Sequence, residues 1–307
     1  MLVAAAALAV AGCGPQQASS TRLSVVTSIY PLFEFVQRVG GDRVDVHNLV
    51  PAGAESHDYE PTPRDLAAIE RGALLVFNDA GLEPWVARVL PQLSDRHVTV
   101  NATEGLPLLS GVAGGEDGDE DGGQVAGRPG RGGIDPHVWL DPLLAQQQVE
   151  RIVAGLLVAD PPGRADYEAN AARLKEELQM LHAQFESTLR RCRRKAFITS
   201  HAAFGYLARR YGLKQIAIGG LSPQAEPSPA RLVDVVRLAR RRGIKVIYHE
   251  TLDSPRVAQT IALEVGASVR ALNPLEGLTR AEERQGKNYF TVMYENLRNL
   301  AEGLDCR

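Results

Sequence analysis

Three histidines stand far apart in the chain, each in a short loop-like context: His57 in PAGAESHDYEP, His137 in GIDPHVWLDP and His201 in ITSHAAFGYL. Each context suits an imidazole held at the end of a strand. Glu276, in LNPLEGLT, is the candidate for a fourth, oxygen donor. Three imidazole nitrogens and one carboxylate oxygen make a closed tetrahedral set that suits zinc. Glu55 and Asp58 flank His57 and offer alternative oxygens, and a water is a third way to complete the shell. A secreted zinc hydrolase is the competing reading. Against it, catalytic zinc keeps an open position for water, and no HExxH pair occurs on one helix. Ligand imidazoles must be neutral, so affinity is expected to fall below about pH 6.

Donors so distant in sequence need a scaffold that returns them to one place. Short apolar, β-branched runs alternate with helical patterns in two blocks, which is α/β grammar twice over. The first block has strands near Leu23–Thr27, Val44–Val50, Leu74–Phe77 and Val98–Val100. The second has them near Ala196–Thr199, Gln215–Ile218, Ile244–Tyr248 and Ser268–Leu272. Capping residues followed by proline mark helix starts at Thr62-Pro63, Asp141-Pro142, Ser228-Pro229 and Ser254-Pro255. His57 and His137 closely precede two of these starts and so belong to strand-to-helix loops, which gather at the carboxyl ends of parallel strands where ligands bind. His201 follows the strand AFIT and opens a helix, HAAFGYLARRYG. Glu276 follows the strand SVRAL by a few residues. The four donors meet only if two lobes face each other across a cleft.

Between the blocks, Tyr167, Leu174, Leu178, Leu181, Phe185, Leu189 and Cys192 recur on one helical face, with no Gly or Pro from Arg164 to Lys195. This predicts a stiff linking helix within 161–194, about 45 Å long if about 30 residues are helical. The fold class expected is thus α/β, two lobes (23–160 and 195–307) each with a four-stranded, mainly parallel sheet flanked by helices. Residues 111–133, glycine-rich and acidic with no apolar periodicity, read as a flexible loop leading into the His137 motif.

The apolar run from Leu2 to Ala11, followed by Gly12 and Cys13, reads as a lipoprotein signal peptide (1–12) with a lipidated Cys13 and a polar tether, 13–22. No Lys or Arg precedes the run, a departure from the usual pattern. The protein is then expected outside the cytoplasm, attached to the cell membrane. Cys192 and Cys306 remain as an even pair in an oxidising compartment and are expected to form a disulfide. The net charge of −3 is local, because Glu116, Asp117, Asp119, Glu120 and Asp121 supply five negative charges. No basic stripe with interleaved aromatics occurs, which argues against a nucleic-acid partner. His47, His97, His182 and His249 carry no motif and are read as structural. Asp141 and Glu250 are candidates to orient the ligand imidazoles.

From about Leu23 to Leu304 the chain resembles the metal-binding solute-binding lipoproteins of bacterial ABC importers for zinc and manganese (cluster A-I, solute-binding protein family 9). The resemblance rests on PAGAESHDYEPTPRDL, NDAGLEPWV, DPHVWLDP, SHAAFGYLARRYGL, LSPQAEPSP, LNPLEGLT and YFTVMYENLRNLAEGL. It implies histidine ligands at His57, His137 and His201 and, as in one zinc-specific branch, a glutamate at Glu276. Manganese importers typically place a carboxylate at the third position, where this chain keeps His201. The implied cargo is therefore one Zn(II), with Mn(II) the alternative. The implied role is extracytoplasmic capture and delivery to a membrane permease with its cytoplasmic ATPase, by a monomer that is not an enzyme. Zinc-specific relatives often carry a histidine-rich acidic loop where 111–133 stands; here the loop has acids and no histidine, so a weak metal-collecting role and a merely solvated insertion both remain open.

Overall fold

The computed structural model describes residues 22–110, 133–224 and 226–307. The signal peptide, Cys13, the tether up to residue 21 and residues 111–132 lie outside the described residues.

The N-terminal lobe runs β1 (Leu23–Thr27), α1 (Tyr30–Gly40), β2 (Val44–Asn48), α2 (Pro63–Arg71), β3 (Leu74–Phe77), α3 (Val86–Val89), β4 (Val98–Asn101) and α4 (Pro142–Ala159). The long helix α5 (Arg164–Leu189) follows. The C-terminal lobe runs β5 (Ala196–Thr199), α6 (Gly205–Arg210), β6 (Lys214–Ala217), α7 (Pro229–Arg242), β7 (Val246–His249), α8 (Arg256–Val265), β8 (Ser268–Ala271), α9 (Arg280–Arg284) and α10 (Tyr289–Gly303). Both sheets are four-stranded and wholly parallel, in the orders β2-β1-β3-β4 and β6-β5-β7-β8. The central β3 (LLVF) and β5 (AFIT) are buried at every residue, as strands covered by helices on both faces must be. The edge strand β8 (SVRA) alternates exposed and half-buried residues.

The punctuation read from sequence works at three of four sites. Thr62 and Asp65 form a reciprocal capping box on α2, and the Asp141 and Ser228 side chains accept from the first turns of α4 and α7. Ser254 does not cap: α8 starts one residue later, at Arg256, and Ser254 N–H is engaged by the Asp253 carboxylate.

Helix α5 buries Tyr167, Leu174, Leu178, Leu181, Phe185 and Leu189 along one face. It has 26 residues, so it spans about 39 Å and ends five residues short of the expected limit at residue 194. No Gly or Pro stops it. Instead, Cys192 is bonded to Cys306 across 114 residues, and Arg193 and Arg194 donate backbone N–H to Asp305 and Leu304, which draws the segment out of the helix. Lys195 Nζ then satisfies the carbonyls of Leu189 and Arg190 at 2.8 and 3.3 Å.

One continuous core runs through both lobes. It joins Val25, Phe35, Trp139 and Ile152 of the first lobe to α5 and to Phe197, Tyr248, Tyr289 and Leu300 of the second. Helix α10 carries much of this: Tyr289 packs edge-on against Phe35 with centroids 5.0 Å apart, and its backbone N–H donates to Glu34 of α1 at 2.6 Å. The lobes thus share a packed interior and not a bare connecting helix.

The disulfide closes a loop of 114 residues, for which chain entropy predicts about 4 to 5 kcal/mol. Replacing both Cys192 and Cys306 by serine should lower the unfolding free energy in denaturant titration by a few kcal/mol and raise the m-value, because the unfolded chain without the cross-link is more expanded. An unchanged midpoint would show that the bond does not constrain the unfolded chain.

Candidate metal centre

The four sequence candidates arrive on four strand-end loops. His57 lies between β2 and α2, His137 just before α4, His201 in the loop after β5, and Glu276 between β8 and α9. His201 does not open a helix, as the sequence suggested; α6 begins only at Gly205. The loop that carries His201 is instead pinned by its own carbonyl, which accepts from Thr199 Oγ1 at 2.7 Å and Gln215 Nε2 at 2.9 Å. The His57 loop crosses to the other lobe: Gly53 N–H donates to the Leu278 carbonyl at 2.8 Å, and Ser56 Oγ donates to Glu276 Oε2 at 2.9 Å.

One ligand atom from each of His57, His137, His201 and Glu276 lies within 4.8 Å of all the others. Glu276 Oε1 is the focus, at 3.1 Å from His137 Nε2, 3.3 Å from His201 Nε2 and 3.4 Å from His57 Nε2. His137 and His201 Nε2 are 3.4 Å apart. A tetrahedral zinc site with bonds of about 2.0–2.1 Å has donor-to-donor edges of about 3.3 Å. Four of the six edges of the cage therefore match those of a zinc site. His137, His201 and Glu276 are almost fully buried. His57 Nε2 is a buried nitrogen with no hydrogen-bond partner, because its 3.4 Å approach to Glu276 falls outside hydrogen-bond geometry. A cation shared by all four donors would satisfy it.

The far sides of two rings are held by carboxylates. His137 Nδ1 lies 2.8 Å from Asp135 Oδ1, which also accepts the His137 N–H at 3.0 Å. His201 Nδ1 lies 2.6 Å from Glu250 Oε2, and Glu250 Oε1 accepts the His201 N–H at 3.1 Å. In each case one carboxylate grips both backbone and ring, which places the Nδ1 proton on the carboxylate side and leaves Nε2 facing the cage. Glu250, a candidate to orient a ligand imidazole, thus lies against the His201 ring. Asp141 does not: it caps α4 through Leu143 N–H and pairs with Arg210 at 2.8 Å across the lobes. Asp135, two residues before His137, was missed, although the DPH triplet held it in plain view. Of the alternative oxygens, Asp58 is exposed, while Glu55 accepts from His57 N–H at 3.2 Å and leans on Glu276. Neither belongs to the four-atom group. His47, His97, His182 and His249 each lie apart, beside Asp65, the Glu70 carbonyl, Tyr211 and the Glu250 carbonyl.

Burial would push the His201 imidazole toward its neutral form, but the Glu250 and Glu276 carboxylates outweigh it and raise the pKa to about 10. His137 is raised for the same reason, with Asp135 and Glu276 overcoming burial. Burial would raise Glu276, yet the close approach of the three histidines holds it well below the usual carboxylate range. Burial and the charge of Glu276 push Glu55 up to about 8. In the metal-free protein, protons thus occupy the place of the cation. The stabilisation from protonated His201 is complete below about pH 6.5 and is lost as pH rises through about 10. Metal and protons compete over that whole window, so affinity climbs with pH well above the limit of about 6 expected from an ordinary imidazole.

A buried cage of three nitrogens and one oxygen, shared by two parallel α/β lobes, defines a metal-binding protein of the two-lobed solute-binding class. Residues 25–303 match the family described as ZnuA, zinc-uptake complex component A, periplasmic. The chain is 40% identical over 310 residues to the high-affinity zinc uptake system protein ZnuA of Bacillus subtilis, covering 99% of this chain and 96% of that protein. It is 39% identical to the zinc-binding lipoprotein AdcA of Streptococcus pneumoniae over 99% of this chain, which spans about 60% of AdcA. The crystal structure of the Zn(II)-bound ZnuA-like domain of AdcA superposes with a TM-score of 0.78 at 38% identity, covering 93% of this chain and 100% of that one. The chain belongs to the ZnuA zinc-uptake family.

Calorimetric titration of zinc at pH 7.5, in buffers of different ionisation enthalpy, should reveal at least about one proton released per ion. Binding with no proton release would mean that His201 is already neutral there.

Proposed function

We propose that this chain captures one Zn(II) in the interlobe cleft through His57, His137, His201 and Glu276 and hands it to a membrane permease powered by a cytoplasmic ATPase. It works outside the cytoplasm as a monomer tethered by a lipid on Cys13. The observation that carries the reading is the convergence of three Nε2 atoms on Glu276 Oε1 at 3.1 to 3.4 Å. The printed names of the relatives, one for high-affinity zinc uptake and one for zinc binding, support the choice of cargo.

The chemistry of the donors agrees. Borderline nitrogen donors with a single carboxylate favour zinc over manganese, which takes carboxylate, carbonyl and water oxygens in octahedral geometry. Glu276 supplies the charge, while Asp135 and Glu250 accept the Nδ1 protons of His137 and His201 and so raise the basicity of the Nε2 lone pairs. Four protein donors close a tetrahedral shell and leave no position for an attacking water, which is the physical argument for a carrier over a hydrolase. The shared core across the lobes restricts how far the cleft opens. Release then depends on loosening a strand-end loop or reprotonating the imidazoles more than on a wide hinge motion.

Metal-stripped protein titrated against a calibrated chelator should take up one zinc tightly and manganese far more weakly. Glu276→Gln should weaken zinc by at least about tenfold. Tighter manganese would overturn the choice of cargo, and unchanged zinc affinity in Glu276→Gln would remove Glu276 from the set.

A further inference from the structure

Glu276 stands on no regular element. It follows β8 by a short loop in which Leu275, fully buried, adopts a left-handed backbone with φ of 59°. A residue with a side chain is held there only where its surroundings over-determine it. Those surroundings come from α10. The Asn296 side chain pairs with the backbone of Asn273 in both directions: its Oδ1 accepts the Asn273 N–H at 2.9 Å and its Nδ2 donates to the Asn273 carbonyl at 2.7 Å. The Asn273 side chain in turn accepts the Leu275 N–H at 2.7 Å. Asn296 and Asn273 are both buried, so each of these bonds lies in a low-dielectric interior where its loss leaves polar groups unpaired. One turn further along the same face, Asn299 Nδ2 donates to the Ala271 carbonyl at 2.9 Å. The two asparagines thus continue the hydrogen bonding of β8 past its end, through the turn that aims Glu276. Trp139 Nε1 completes the clamp on the Pro274 carbonyl at 2.7 Å.

We infer that Asn296 is a positioning residue for the fourth metal donor: through Asn273 and Leu275 it fixes the backbone from which Glu276 Oε1 reaches the three histidines. This gives a role to YENLRNL, a segment that sequence reading singled out without assigning it one. The inference rests on the metal-binding reading of His57, His137, His201 and Glu276. Asn296 itself contributes no atom to that group.

The test compares Asn296→Ala, Asn299→Ala and Glu276→Gln in the full chain, using zinc affinity by chelator competition, the visible spectrum of the Co(II)-loaded protein, and thermal melting without metal. Asn296→Ala should weaken zinc by about 10- to 100-fold and shift or weaken the tetrahedral Co(II) bands. Asn299→Ala removes a bond from the same helix face but not from the Glu276 turn; it should lower the melting temperature and leave affinity and spectrum as in wild type. Asn296→Asp keeps the acceptor for Asn273 N–H but turns a charged oxygen toward the Asn273 carbonyl, so it should weaken zinc at least as much as alanine; Asn273→Ala, which removes the bond to Leu275 N–H, serves if the Asn296 variants do not fold. If Asn296 variants melt lower yet bind and colour as wild type while Glu276→Gln is weakened, Asn296 is structural only and the inference is overturned. If wild type itself takes up no zinc tightly, the metal-binding reading fails and the inference falls with it.

Discussion

Four donor atoms from four strand-end loops lie within 4.8 Å of one another, and each lobe supplies two of them. A tetrahedral ion tolerates errors of only a few tenths of an ångström in those positions. Such tolerance cannot be met by lobes that drift, so the relation between the two sheets has to be built into the fold. A shared core on α5 and α10 does this at large scale, and polar ties do it close to the cage. Trp139, two residues after His137, donates to the carbonyl of Pro274, two residues before Glu276, and Tyr289 OH holds the Trp139 carbonyl at 2.6 Å. Asp141 and Arg210 add an ion pair from the base of the His137 loop to α6. The disulfide fixes the end of α5 to the end of the chain just after α10.

The same concentration of donors sets an electrostatic problem. Three acidic side chains, Asp135, Glu250 and Glu276, are buried around three imidazoles. Isolated, each would be costly to bury. Each is instead committed to ring nitrogens or backbone N–H groups, and His137 and His201 answer by holding protons more tightly than they would in water. The cage is therefore arranged for a cation whichever one it holds. Protons fill that role in the metal-free chain, and a divalent metal must displace them. Proton exchange belongs to binding itself and is not a side effect of it.

Much of this was legible in the sequence because it depends on local chemistry. Strands such as LLVF and AFIT are short apolar runs between turn residues, and Thr62-Pro63 and Asp141-Pro142 are helix starts for reasons that need no partner. The burial of α5 follows from its spacing alone. Failures arose where a distant contact overrode a local preference. Nothing near Leu189 stops a helix, but the bond from Cys192 to Cys306 does. His201 looked like a helix start, yet its carbonyl is taken by Thr199 and Gln215, and the helix waits for Gly205. Asp141 is near His137 in sequence, but its carboxylate is spent on the α4 cap and on Arg210, while Asp135 bends back to the ring. The left-handed turn at Leu275 and its asparagine clamp had no local signature, because the clamp comes from a helix later in the chain.

X-ray absorption at the zinc edge of protein loaded with one equivalent tests the central claim most directly. A closed interlobe cage requires a first shell of four light donors at about 2.0–2.1 Å, with outer-shell scattering from three imidazole rings. Scattering from two rings or fewer, or a shell of five or six donors, would contradict it.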